Sequence, residues 1–417
     1  MRVCLIYDCL YPYTVGGAER WYRNLAERLA AEGHEVTYVT LRQWERGERL
    51  DLDPRVRVIT AGPRMALYTS PPTDGASTHG ASAHGVSTHG APAHGASTHG
   101  SSTHGVSARR RILPPLVFGA GVLWHLLRHG RRYDVVHTAS FPYFSMLAAG
   151  AVRPLGRFGL VVDWHEVWSR DYWLEYLGRA GGRVGYAVQL LCARLPQRAF
   201  CFSRLHAERL RDEGLRGEVT VLEGEYAGSL EPPTPVAAEP LVVFAGRMIP
   251  EKRAPLGVAG VAAAAERIPG LRGVFFGDGP DRNAVLAAIA EHGSQDTISA
   301  PGFVAAERVD AAQRSALCVL LPSRREGYGM VVVESCARAT PAVVVAAPDN
   351  AAVELVREGV NGTIAPHADT ESIADAIVRV HEAGMGMRES TAAWFAENAE
   401  RLSLESSLRE VLESYSR

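Results

Sequence analysis

Short apolar runs of strand length alternate with amphipathic helical stretches along this chain. The alternation runs twice, in two series parted by Glu231-Pro232-Pro233-Thr234-Pro235. Strands joined by helix-length crossovers pair in parallel, and a parallel sheet buries both faces under its helices. The first series predicts strands at Val3–Tyr7, Glu35–Thr40, Val56–Thr60, Asp134–His137, Leu160–Asp163, Ala199–Phe202 and Val219–Leu222. Helices are expected at Glu19–Glu32, 112–129 and Val184–Leu195. The second series predicts strands at Leu241–Ala245, Gly273–Phe276, Thr297–Ser299, Leu317–Leu321 and Ala342–Ala346. Its helices fall near 251–267, 280–292, 305–315, 329–338 and 350–357, although Val331-Val332-Val333 sets strand propensity against helical placement. The fold class is therefore α/β, with two doubly wound Rossmann-like domains facing an interdomain cleft. A length of 417 residues also suits two cores better than one.

Bulk properties exclude more than they assign. A net charge of −2 gives no footprint for nucleic acid. The six cysteines form no C-x-x-C pair and several sit in apolar runs, as expected for reduced, buried thiols of a cytoplasmic protein. Met1 to Asp8 reads as a first buried strand rather than a signal peptide. The apolar stretch Ile112 to Leu127 is interrupted by Pro114-Pro115 and His125 and is too short to span a bilayer. Arg109-Arg110-Arg111 precede it, and Arg128, Arg131 and Arg132 follow. A packed amphipathic helix is expected there, with a weak peripheral contact at the inner face of a membrane left open. From Gly75 to His104 a unit Gly-x-x-x-His repeats six times. Such small polar units cannot bury enough area to fold, so an insert over about 70–108 is expected to be disordered. Loose metal chelation by its histidines is the weaker alternative. Nothing sets an oligomeric state.

Lys252 is the only lysine among 44 basic residues. It follows Gly246-Arg247 where a strand gives way to a helix, a place where two fixed cations could hold a diphosphate. A solvated residue left by codon bias is the other reading. Gly16-Gly17-Ala18-Glu19 opens the first helix after the first strand. It offers either a close approach to a ligand or a plain tight turn, and it is not the dinucleotide pattern G-x-G-x-x-G. Glu326-Gly327-Tyr328-Gly329-Met330 comes after a strand, and Glu334 follows Glu326 with seven residues between. Two carboxylates so spaced could accept hydrogen bonds from sugar and ribose hydroxyls, or be a capping acid and a surface acid.

Gly246-Arg247 with Lys252, and Glu326 with Glu334 as a Glu-x7-Glu motif, together resemble glycosyltransferase family 4. Gly16-Gly17-Ala18-Glu19-Arg20, Gly277-Asp278-Gly279-Pro280, Gly302-Phe303-Val304 and Asn361-Gly362 add to the resemblance, which covers nearly all of the chain except the histidine repeat. It implies a GT-B fold and a retaining transfer of a hexose-type sugar from a nucleotide-diphosphate sugar to a glycan, glycolipid or small-metabolite acceptor. The acceptor-side domain would be 1–230, the nucleotide-sugar domain 231–390, and 391–417 would cross back to the first domain. Arg247 and Lys252 would hold the donor diphosphate. Glu326 and the backbone of Gly327, Tyr328, Gly329 and Met330 would hold the donor sugar. Glu334 would bind ribose, Gly302, Phe303 and Val304 would lie near the base, and Gly16 and Gly17 would approach the phosphates. His165 is matched to the family's active-site histidine, ahead of His137, because aromatics suited to a carbohydrate face follow it in Val167-Trp168-Ser169-Arg170-Asp171-Tyr172-Trp173. The chain departs from the family at Glu223-Gly224, where Asn-Gly is usual. Asp51-Leu52-Asp53 spells the metal-binding motif of other transferases but precedes a strand as a loop, so neither metal nor other cofactor is expected. A nucleotide-sugar epimerase and a non-catalytic nucleotide-sugar-binding protein are the competing readings.

Overall fold

The computed structural model describes residues 1–14, 16–45, 47–65 and 113–416. The histidine repeat, the insert expected over 70–108 and Arg109–Arg111 lie outside the described residues. The first sheet is built from β1 (Arg2–Ile6), β2 (Glu35–Thr40), β3 (Arg57–Thr60), β4 (Val135–Ala139), β5 (Gly159–Trp164), β6 (Gln197–Cys201) and β7 (Gly217–Val221). Its seven strands run in the order β3-β2-β1-β4-β5-β6-β7, all parallel. Helices α1 (Gly17–Ala31), α2 (Leu113–His129), α3 (Tyr143–Gly156), α4 (Arg170–Ala193) and α5 (Arg204–Asp212) accompany it.

The second sheet has the order β10-β9-β8-β11-β13-β15, again all parallel. Its strands are β8 (Leu241–Ala245), β9 (Arg272–Phe276), β10 (Ile298–Gly302), β11 (Cys318–Leu321), β13 (Ala342–Val345) and β15 (Gly362–Ala365). Between them come α6 (Ala254–Ala265), α7 (Arg282–Glu291), α8 (Ala306–Ser315) and α9 (Met330–Cys336). A two-residue pair, β12 (Arg325–Glu326) with β14 (Asp349–Asn350), stands apart from both sheets. The run Val331–Val333 lies inside α9, where Val332 and Val333 are buried, so packing overrides strand propensity.

Local predictions fail where a break or a short element intervenes. The helix expected from 251 is split: Pro250–Lys252 is a single 3-10 turn, and Arg253 takes the left-handed region at φ 48° before α6 starts. The segment 350–357 is likewise only a 3-10 turn, Ala351–Leu355. Pro114 and Pro115 do not break α2. They occupy its first turn, where no intrahelical donor is needed, and His125 is buried against the Tyr133 hydroxyl at 2.8 Å.

The end of the chain ties the two sheets together. Helix α10 (Thr370–Leu402) bends at Gly384, whose φ of 55° admits few side chains, and α11 (Leu404–Tyr415) follows. Tyr226 N–H donates to Leu402 O and Leu404 N–H to Tyr226 O, at 3.0 and 2.8 Å. Trp394, Phe395, Val411 and Tyr415 join the buried core around the first sheet.

Candidate functional site

Strand order reverses between β1 and β4 in one sheet and between β8 and β11 in the other. Ligands of open parallel sheets bind outside the carboxyl ends of the strands at such switch points. The loops leaving β1, β5, β8 and β11 do converge, on one cleft of ≈ 1630 Å³.

The wall from the second sheet carries more of the charge. Arg247 lies just past β8 and is exposed in the cleft. Lys252 ends the 3-10 turn, and its ammonium pairs with the Glu326 carboxylate. Glu326 is buried and held in register by the pairing of β12 with β14. The cation and the first acid of the Glu-x7-Glu motif are therefore partners. Glu334 lines the cleft from α9. Burial pushes its carboxyl above the usual range, against the pull of the Arg338 and Arg20 guanidiniums.

Two glycines let the walls approach. A Cβ on Gly327 would lie 2.5 Å from the His165 carbonyl oxygen, so only glycine allows this loop to rest on β5's exit. Gly329 has φ 106° and starts α9, with Met330 behind it in the cleft. The Tyr328 hydroxyl donates to Glu223 O at 2.6 Å, which commits this side chain to the interdomain seam and leaves its backbone for a ligand.

The wall from the first sheet is less charged. Gly16 caps α1, where an added Cβ would strike the Glu19 carboxylate, whereas a Cβ on Gly17 would meet nothing within 4 Å. The His165 ring stacks on Phe202 at 4.5 Å, and its Nε2 is buried without a hydrogen-bond partner. Burial lowers the His165 pKa, outweighing Asp163 and Glu166, so the ring is neutral.

His137 is a structural histidine. Its Nδ1 lies 2.6 Å from the Tyr415 hydroxyl and its Nε2 2.8 Å from Asp163, whose other oxygen accepts from the Trp21 indole at 2.7 Å. Burial works to raise the Asp163 carboxyl, but His137, His165 and the indole N–H together hold it below the usual carboxylate range.

The aromatic segment after His165 corrects the sequence reading. Trp168 lines the cleft, stacked on Phe141 and under the Arg325 guanidinium at 4.9 Å. Tyr172 and Trp173 are buried, with the Tyr172 hydroxyl donating to Glu251 and the Trp173 indole to Gln189, each at 2.9 Å. They form no open carbohydrate face. Gly302, Phe303 and Val304 sit at the end of β10 and do not line the cleft. Asp51 and Asp53 pair with Arg23 and Arg55 and do not line it either. Among the described residues no group of three His, Cys, Asp or Glu side chains is placed to hold a metal ion.

Two acids at the seam, Glu166 and Glu225, were given no role from the sequence, and a third, Glu223, was noted only as a departure from the family. Glu166 pairs with Arg325, 159 positions away. Glu223 is taken up by Arg204 and Arg401 at 3.1 and 2.8 Å, so this departure from the family pattern is a clasp between α5 and α10. Glu225 lines the cleft, and burial with the nearby Asp163 charge pushes its carboxyl up to about 7. Only the acid in place of an expected apolar strand exit could have pointed to it.

Two family models account for the two halves: a glycosyl transferase 4-like domain over residues 16–223 and glycosyl transferases group 1 over 231–401. The chain belongs to the GT-B glycosyltransferase superfamily. Solved structures share its architecture. Sucrose-phosphate synthase from Thermosynechococcus elongatus superposes with a TM-score of 0.73 at 19% identity, covering 100% of this chain and 98% of that one. HepE of Anabaena in complex with UDP gives 0.68 at 17% identity, covering 100% of both chains. Alpha-D-kanosaminyltransferase of Streptomyces kanamyceticus is 30% identical over 141 residues, 34% of this chain. The chain aligns with 36%, 14% and 32% of the lengths of the first three curated relatives. In this GT-B protein the cleft thus lies between the two matched domains, with the Glu-x7-Glu acids in the second.

Proposed function

We propose that this GT-B protein transfers a hexose-type sugar from a nucleotide-diphosphate sugar to a glycan, glycolipid or small-metabolite acceptor in the cytoplasm. Transfer retains the anomeric configuration and needs neither a divalent metal nor another cofactor. The observation that carries the reading is the convergence of Arg247, Lys252, Glu326 and Glu334 on one wall of a cleft whose other wall presents Gly17 and His165. The likeness to an alpha-D-kanosaminyltransferase and to a HepE structure holding UDP supports a nucleotide-sugar donor.

Breaking a sugar–diphosphate bond builds negative charge on the leaving phosphate and positive charge at the anomeric carbon. Fixed cations at the phosphate lower that barrier most. Arg247 offers a forked donor and Lys252 a compact point charge, so neither substitutes cleanly for the other. A diphosphate would compete with Glu326 for Lys252. Release of Glu326 then frees an acceptor-only group for a sugar hydroxyl, so donor binding itself arms the sugar site. Neutral His165 lines the facing wall, and Glu334 offers acceptors for ribose.

The test is a thermal-shift screen of nucleotide sugars, followed by product analysis. One donor class should raise the melting temperature of the wild type and not of Lys252→Ala. An α-linked donor should give an α-linked product by NMR, and chelator should leave the rate unchanged. No shift with any nucleotide or nucleotide sugar sinks the donor reading. An inverted product sinks retention, and loss of activity with chelator sinks metal independence.

A further inference from the structure

Helix α2 turns one side to the core and leaves the other uncovered. Pro114, Pro115, Phe118, Val122, His125 and Leu126 are buried. On the opposite face Leu113, Leu116, Leu123, Trp124 and Leu127 are 60, 43, 37, 58 and 54% exposed. With Ala120 they make a continuous apolar stripe at helical spacing, interrupted by no polar residue. Scattered exposed leucines need no explanation, but a contiguous helical face does.

The sequence that holds the stripe is biased to one sign of charge. Between Leu113 and Phe158 stand Arg128, Arg131, Arg132, Arg153 and Arg157 but one acid, Asp134, which pairs with Arg2 at 3.0 Å. The Arg128 guanidinium lies over the Trp124 ring at 3.5 Å. Arg131 donates to Leu155 O at 3.2 Å, placing an arginine beside another exposed leucine. The whole chain carries a net charge of −2, so this concentration is local.

The geometry points to an anionic lipid surface as the occupant of this face, with the stripe entering the headgroup boundary and the arginines meeting lipid phosphates. Leucine and tryptophan with arginine at the polar edge are the side chains of a helix lying in a membrane interface. A second copy of the chain fits less well, because a two-fold contact through the stripe would bring Arg128, Arg131 and Arg132 against their own equivalents. Among the described residues no helix is long and apolar enough to cross a membrane, so the contact is with the surface. The arginine-rich end of α2 leads through a 3-10 turn, Gly130–Arg132, into β4 and so lies at the amino edge of the sheet. The cleft is at the carboxyl edge and stays open when this face is docked. The inference does not depend on the transferase reading.

Flotation of the full chain with phosphatidylcholine vesicles, with and without phosphatidylglycerol, tests it. The wild type should float with the anionic vesicles and not with phosphatidylcholine alone, and added salt should weaken binding. Leu123→Ser with Trp124→Ser and Leu127→Ser should lower partitioning by at least roughly tenfold. Arg128→Glu with Arg131→Glu and Arg132→Glu should lower it by roughly fivefold or more per arginine. Both variants change exposed side chains and should keep the wild-type melting temperature. A wild type that stays in the pellet fraction with anionic vesicles, or a serine variant that floats equally well, overturns the proposal. So does a wild-type dimer that the serine variant makes monomeric while neither floats.

Discussion

On the wall built by the second sheet, the ionisable groups face the cleft: Arg247 is exposed and the Lys252–Glu326 pair stands ready to be exchanged. On the wall built by the first sheet, a cluster of polar and ionisable groups faces inward behind the cleft. Asp163, His137, Trp21 and Tyr415 pack together in the core, whereas His165, at the end of the same strand, lines the cleft with Glu166 and Glu225. One wall holds charge for a ligand to use, and the other uses polar groups to fix geometry. A change on the first kind of wall should alter chemistry and spare stability. A change on the second should do the reverse.

Lys252→Ala is the sharpest test and should lower transfer by about 100- to 1000-fold while leaving the melting temperature near wild type. Asp163→Asn should act the other way. It breaks a fully buried ionic cluster and should destabilise the fold by roughly 3 kcal/mol in denaturant titration. If Lys252→Ala unfolds the protein, or Asp163→Asn abolishes transfer at full stability, the division between the walls is wrong. Gly327→Ala probes the seam. Its methyl must push the His165 backbone away, and transfer should fall on the order of 10- to 100-fold with the fold intact. Tyr415→Phe removes one hydrogen bond from the buried cluster and should cost about 1 kcal/mol.

Glu225→Gln should show its effect mainly in the pH dependence of stability. The native pKa of about 7 lies above the ordinary 4.5, so the folded state holds a proton that the unfolded chain has released. This group therefore takes stability away as pH rises from 4.5 towards 7. The variant should gain stability over wild type above pH 7 and match it below about pH 4.5. His125 and His206, each lowered by burial to about 4, tilt the wild type the opposite way between 6.5 and 4. They do so in both proteins, so the difference between variant and wild type isolates Glu225.

The two sheets, their parallel strands and the cleft between them were legible because strand and helix periods are local properties. The position of Lys252 after β8, and the spacing of Glu326 and Glu334, were local as well. What the sequence hid was pairing across distance. Nothing near Glu326 announces that Lys252 holds it, nor does anything near Glu166 announce Arg325. Tyr172 and Trp173 looked open because composition does not say which ring a neighbouring helix will cover. β15, α3 and α5 escaped because their strand or helix signals were short or apolar all round. The 3-10 turn at Pro250–Lys252 escaped because one left-handed residue, Arg253, ends it.

Tyr415 also sets a clock. It completes a polar core begun by His137, 278 positions earlier in the chain. A ribosome adding roughly 5–20 residues per second needs on the order of tens of seconds to cover that distance. During that interval the first sheet can assemble its strands, but His137 and Asp163 have no tyrosine to close over them. The core around the first sheet is therefore completed last, and a message cut short upstream of α11 leaves it without Leu408, Val411 and Tyr415.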